Sequence, residues 1–254
     1  MGKYFTVTVK PVMPVATQIQ SNKTDLAFGD GDVLFDWAAF DVPKGPSKLL
    51  DIGCIVRGAQ TAKSIQFVFA KANVDGTAPS SIGTGNSTAD GTGYFNNVIG
   101  SITMDDTNFK IDLDHIIIGS LGHGASADQV SNAVLQGTPD SGINVGYDRL
   151  YVAAICTQGG HFNFSTGVLA DGAQASGLAT TATTGLLVKT VDALTFFDKG
   201  DVIHVHDSDT ALGTIKSVID STHIQLEAVS GVAAADDDEI INASPITLEL
   251  SFEK

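Results

Sequence analysis

Hydrophobic and polar positions alternate with a period of two along much of the chain. In YFTVTVK, Phe5, Val7 and Val9 alternate with Tyr4, Thr6, Thr8 and Lys10, which predicts a strand with one buried face. PITLELSFEK repeats the pattern at the other end, with Ile246, Leu248, Leu250 and Phe252 set against Thr247, Glu249, Ser251 and Glu253. Two such strands suit one sheet. LLDIGCIVRG (49–58) places Leu50, Ile52, Cys54 and Val56 on one face, and SIQFVFAKA (64–72) does so with Ile65, Phe67 and Phe69. YFNNVIGSITM (94–104), FKIDLDHIII (109–118) and RLYVAAIC (149–156) complete the strand candidates of the first two thirds. One helix is expected over 126–137, where Ser126 and Gln129 form a capping box and Gly137 supplies the stop.

Two stretches interrupt this rhythm. Residues 73–93 are almost all turn formers, and 165–185 are rich in Gly, Ala and Thr. Loops of this length are often functional, or act as linkers. After the second come four short apolar runs, LLVKTV, DVIHV, GTIKSVI and HIQLEAV, separated by the turn-rich FFDKGD, HDSDTALG and DST. Short, evenly spaced strands predict a small barrel-like module. The expected fold is all-β: an antiparallel β-sandwich from residues 1–170, completed by a strand at 245–254. A linker at 171–185 leads into an inserted β module at 186–244.

Composition supports a β-rich surface. Only 17% of the 254 residues are charged, yet 29 acidic against 14 basic residues leave a net charge of −15. That excess repels phosphate backbones and anionic lipid surfaces, so neither nucleic acid nor membrane is an expected partner. No apolar run is long enough to span a bilayer. The start MGKYFT lacks a secretory leader pattern; it fits the short myristoylation pattern, but reads better as the approach to a strand. Cys54 and Cys156 both fall inside apolar runs, which predicts buried thiols, and their spacing decides nothing about a disulfide.

Candidate chemistry is sparse. His204 and His206 lie two apart, with Asp207 and Asp209 following and His223 downstream. Alternation puts all three histidines on the polar faces of their strands, and on neighbouring strands they would make a His₃ cluster suited to Zn²⁺. Strand residues at i and i+2 share a face with or without a metal, so solvent-facing histidines are the expectation. His115, His123 and His161 form no pattern. Asp30, Asp32 and Asp36, and the run Asp236, Asp237, Asp238 and Glu239, have the ligand type for Ca²⁺ but not the EF-hand spacing. There is no nucleophile elbow and no P-loop; GTGNS (83–87) does not lie between a strand and a helix. Catalytic, cofactor and metal residues are therefore all expected to be none. The single tryptophan, Trp37, is a thin basis for a sugar-binding cleft.

The module carries a resemblance. Lys199-Gly200-Asp201 before one strand, Gly213 opening the next, and Ser221-Thr222 followed by Ile224 and Leu226 resemble a β module that recurs in virion proteins of tailed phages. FDVPKGPSKLLDIGCIVRG, FVFAKANVDGTAPSSIGTGNS and RLYVAAICTQGGHFNFSTGV resemble phage capsid decoration (cement) proteins. The resemblance covers most of the chain as a pattern rather than an invariant motif. It implies a jelly-roll-like sandwich bearing a projecting module. It also implies a non-enzymatic virion structural protein, assembled in a host cytoplasm and located on the capsid surface. Its partners would be the major capsid protein and other copies of itself, as trimers or dimers. The arm from Val12 to Gln20 and the loop 73–93 are the expected contact segments. The rival readings are a carbohydrate-binding or adhesin module, and a hydrolase or metal-dependent enzyme using the histidines or acidic turns.

Overall fold

The computed structural model describes residues 3–13, 27–58, 64–73, 76–90, 96–113, 116–122, 134–135, 138–139, 147–158, 162, 164, 168–171, 186–188, 193–205, 211–228 and 232–254. Most of it lies in three antiparallel sheets. The first has the order β1 (Tyr4–Val9), β17 (Ile246–Glu253), β3 (Ser47–Arg57), β7 (Ile116–Gly122) and β6 (Phe109–Asp112), with β8 (Val134–Leu135) paired to the start of β3. The second has the order β2 (Val33–Pro43), β10 (Tyr147–Cys156), β4 (Ile65–Lys71) and β5 (Val98–Met104), with β9 (Thr138–Pro139) against β10.

These two sheets form a sandwich. β1 pairs with β17 in unbroken register from Tyr4–Glu253 to Val9–Leu248, so the two most regular alternating segments lie side by side. Their inner residues join one apolar core with Ile52, Cys54 and Val56 of β3 and with Phe35, Phe40, Phe67, Phe69, Leu150 and Val152 of the facing sheet. Phe252 stacks on Phe5 at 5.2 Å between ring centroids and lies 6.3 Å from Phe40 of the opposite sheet. The two cysteines are buried free thiols on different sheets. Burial pushes both thiols up, away from the reactive thiolate.

The third sheet runs β11 (Val168–Leu169), β16 (Glu239–Asn242), β13 (Val202–Val205), β14 (Ala211–Val218), β15 (His223–Leu226) and β12 (Leu186–Leu187). A single helical turn, α1 (Ala193–Phe196), packs against it. The sheet curls around its own core of Leu186, Phe197, Ile203, Val205, Ile215, Ile224, Leu226 and Ile240. Among the described residues its two edges meet at the bridge Ala170–Val188 alone, so it is barrel-like without being a closed barrel.

Several expectations change. β2 carries no clean alternation in VLFDWAAFDVP, because both of its faces are covered at Val33, Leu34 and Phe35; residues read as an acidic turn lead straight into it. The run 109–118 is a hairpin rather than one strand, with the Leu113 N–H donating to the Ile116 carbonyl at 2.9 Å. In β3 the core residue is Leu49, not Leu50, because the β17 pairing shifts between Ser251 and Phe252. Val134 and Leu135, expected in a helix, pair with Lys48 and Ser47; the rest of that segment lies outside the described residues, as does 172–185. Residues 168–170, assigned to the sandwich, pair within the third sheet. A two-residue strand beside a Gly/Ala-rich stretch leaves no periodic trace.

The loop after β4 is not an unattached excursion. Ile82 is buried against Val33 and Ala153 on the outer face of the second sheet. Its N–H donates to Asp36 at 3.1 Å, and the Trp37 indole N–H donates to the Ser80 carbonyl at 2.8 Å. Bridges from Asp32 to Thr88 and from Val33 to Gly85 tie the same loop along β2. One isoleucine among turn formers shows no period, so the sequence hides this anchor.

Candidate functional site

The histidine question resolves into separate places. β14 lies between β13 and β15, so His204 and His223 are not on neighbouring strands. His204 is buried, against expectation, because its cross-strand partner Ile241 is buried too and that side of β13 is covered. His223 is partly exposed, with Nδ1 2.9 Å from Asp220. His206, Asp207 and Asp209 lie outside the described residues, as do His115, His123 and His161. Among the described residues no group of three or more His, Cys, Asp or Glu side chains is placed to hold a metal ion.

The acidic turns hold their own backbone. Asp32 accepts the Gly29 N–H at 2.6 Å, and Asp238 accepts the Ala235 N–H. Asp237 adopts the left-handed conformation (φ 70) in the turn before β16. Asp220 accepts the Thr222 N–H at 2.8 Å and the His223 N–H at 2.9 Å. The Thr222 N–H, followed by the His223 ring, lowers the Asp220 carboxyl to about 2. Replacing His223 with Ala is expected to raise that value while leaving it below the ordinary 3.8, because the Thr222 N–H remains; an NMR titration of the side-chain carboxyl carbon reads this directly.

The residues of the Lys199-Gly200-Asp201 stretch form the most connected polar site. Gly200 takes a left-handed conformation (φ 85), and its N–H donates to the Ile215 carbonyl at 2.7 Å. Asp201, fully buried, accepts the Asp198 N–H and the Asn242 side-chain N–H, each at 2.8 Å. Its other oxygen takes Lys10 Nζ at 2.9 Å. Lys10 also reaches Asp198 at 3.1 Å and the Lys199 carbonyl at 2.6 Å, and Arg57 stands 3.5 Å from Asp198. Lys10 and Arg57 come from the sandwich, and Asp198, Asp201 and Asn242 from the third sheet's unit, so this cluster clamps the two together. The Met13 N–H, which donates to the Ala243 carbonyl at 2.7 Å, reinforces it. Burial raises the Asp201 carboxyl, and Lys10 offsets that only in part. Burial also pushes Asp198 up, but the Lys10 hydrogen bond, the Lys199 N–H and the two cations outweigh it and hold Asp198 below the ordinary range.

The expected contact segments are partly spent inside the fold. Met13 is buried in the sandwich core, Val12 is exposed, and residues 14–20 lie outside the described residues. The broad surface that the described loops leave open is the outer face of the first sheet. Antiparallel partners share a face, and the pairs Ile111–Ile118 and Ile118–Ile55 put three isoleucines in one row there. Leu113 and Ile116 lie beside it, with Ile111 47% and Leu113 61% exposed. Gly53, Ser120 and Gly122 keep the adjoining area flat, and Asp51, Glu249 and Glu253 border it. Periodicity concealed this row, because Ile116, Ile117 and Ile118 read as a continuous apolar strand. No family model, curated protein or solved structure matches the chain.

Proposed function

We propose that the protein is a non-enzymatic structural component of a phage virion, binding the outside of the capsid and stabilising the shell as a decoration protein. One observation carries this reading: the two outer faces of the sandwich are treated differently. The second sheet's face is covered by the chain's own loop through Ile82 and Trp37. The first sheet's face carries Ile55, Ile111, Leu113, Ile116 and Ile118 beside flat Gly and Ser positions. A broad, flat face with an apolar row suits lying against a shell of major capsid proteins, where weak contacts repeated by symmetry add up. The clamp at Asp201 would keep the second unit in a defined position on such a particle. The motif residues behind the resemblance serve that unit's structure, since Gly200 shapes the turn, Asp201 anchors it, and Ile224 and Leu226 fill its core.

The test is co-sedimentation of purified protein with capsids lacking it, read as a saturation stoichiometry. Saturation at a symmetry-related copy number is expected. Replacing Ile111 and Leu113 together with Glu should weaken binding by more than about tenfold, the size of an interface hot spot, without changing the melting temperature by more than a few degrees. Absence of wild-type binding would sink the decoration role. The carbohydrate-binding rival has less support, because Trp37 lies under the loop with its N–H engaged; a glycan array would follow a negative capsid result.

A further inference from the structure

We infer that the free edge of β1 is a docking site for an extended acidic segment of another protein, which joins the first sheet as an added strand. This does not rest on the capsid reading.

β1 is the end strand of its sheet, and among the described residues nothing pairs with its outer side. Lys3 and Lys254 exchange both backbone hydrogen bonds, at 3.1 and 2.9 Å. Antiparallel bonding alternates, and the register is unbroken, so Phe5, Val7 and Val9 bond to β17. Tyr4, Thr6 and Thr8 therefore turn their N–H and C=O groups to the open edge. Natural edge strands are blunted by prolines, bulges, shortness or inward charges. The other edges of the sandwich show such devices: β6 is four residues long with a bulge after Phe109, β5 is irregular where Phe69 and Ala70 pair with it, and β2 ends in Pro43 and is bridged to its loop. β1 has no bulge and no proline in six residues.

The chemistry of the occupant follows from the surroundings. A groove of about 510 Å³ opens beside this edge, lined by Lys3, Tyr4, Phe5, Pro43 and Lys254. Phe5, Pro43 and the Tyr4 ring offer apolar contact, and Tyr4 is 71% exposed. Lys3 and Lys254 place two ammonium groups here, the Lys254 group donating to the Lys44 carbonyl at 2.6 Å, and the carboxylate beside them, Glu253, accepts the Tyr4 hydroxyl at 3.3 Å. An incoming strand with a carboxylate beside these lysines and an apolar residue in the groove matches the site in backbone, shape and charge. A second copy fits worse: antiparallel β1–β1 pairing brings the strand YFTVTV, which holds no carboxylate to set beside Lys3 and Lys254.

The probe is a fluorescein-labelled peptide of alternating Val and Thr with Glu at both ends, compared with the same peptide ended by Lys. Hydrogen exchange by NMR reads the β1 amides, and anisotropy reads binding. In the free protein the Tyr4, Thr6 and Thr8 amides should exchange fast while those of Phe5 and Val7 are protected. The acidic peptide should slow the exposed three and bind about tenfold tighter than the Lys-ended one at low salt. Thr6→Pro removes one outward N–H without touching the β17 ladder, so it should abolish binding and leave Phe5 and Val7 protected. Lys3→Glu with Lys254→Glu should erase the preference for the acidic peptide. Slow exchange at Tyr4, Thr6 and Thr8 in the free protein would show the edge already covered and overturn the inference. So would millimolar acidic peptide that leaves their exchange unchanged, or equal binding of both peptides.

Discussion

Asp201→Ala is expected to destabilise the protein by about 3–5 kcal/mol, the range for removing one partner of a buried ion pair. Urea unfolding measures it. The loss has three parts: Lys10 loses its closest carboxylate, and the Asn242 side chain and the Asp198 N–H lose their acceptor. Lys10 keeps Asp198 and the Lys199 carbonyl and is about one-fifth exposed, which places the loss toward the lower end of the range. Asp201→Asn should not rescue it. Both carboxylate oxygens accept N–H donors, so an amide NH₂ at either position meets a donor. Lys10→Met should cost less than the sum when combined with Asp201→Ala, since the two changes remove one interaction. The clamp also has a pH signature. Asp201, with its pKa raised, contributes stability below the ordinary 3.8 that is lost as pH rises through its folded value. Asp198, with its pKa lowered, contributes above 3.8 and loses it as pH falls. Asp198→Asn should therefore flatten the stability profile below 3.8 while leaving the decline above it.

Phe252→Ala should cost about 3–5 kcal/mol, as removal of a buried ring without refilling does. Phe252 has no exposed surface and joins the two sheets, with Phe5 stacked on one side and Phe40 on the other. The cavity would open under β1, which among the described residues pairs with β17 alone. Faster hydrogen exchange at the Phe5 and Val7 amides is the accompanying sign, and thermal unfolding gives the magnitude. Phe252→Leu keeps much of the volume and should lose less. If the Ala variant unfolds within about 1 kcal/mol of the wild type, the sandwich core is not organised around this ring.

Much of the fold was legible because burial on one side of a strand writes itself locally. Tyr4–Val9, Ile246–Glu253 and His223–Leu226 show it in their alternation. β2 was invisible for the converse reason: Val33, Leu34 and Phe35 at its start are covered on both faces, so it opens with no alternation. The candidate surfaces were hardly legible. Ile55, Ile111 and Ile118 become one row only when three strands register, and Ile82 gains meaning only from Val33 and Ala153 beneath it.

By itself the sequence determined that the chain is built of antiparallel strands, that its first and last strands are amphipathic, and that Gly200 and Asp201 shape a turn. The tertiary structure decided which strand edges stay open, that His204 is covered while His223 is not, and that Asp201 meets a lysine 191 residues away. The reason is physical. Alternation records which side of a strand is dry, a local property, whereas the identity of the neighbour across a ladder or a salt bridge depends on how distant segments pack.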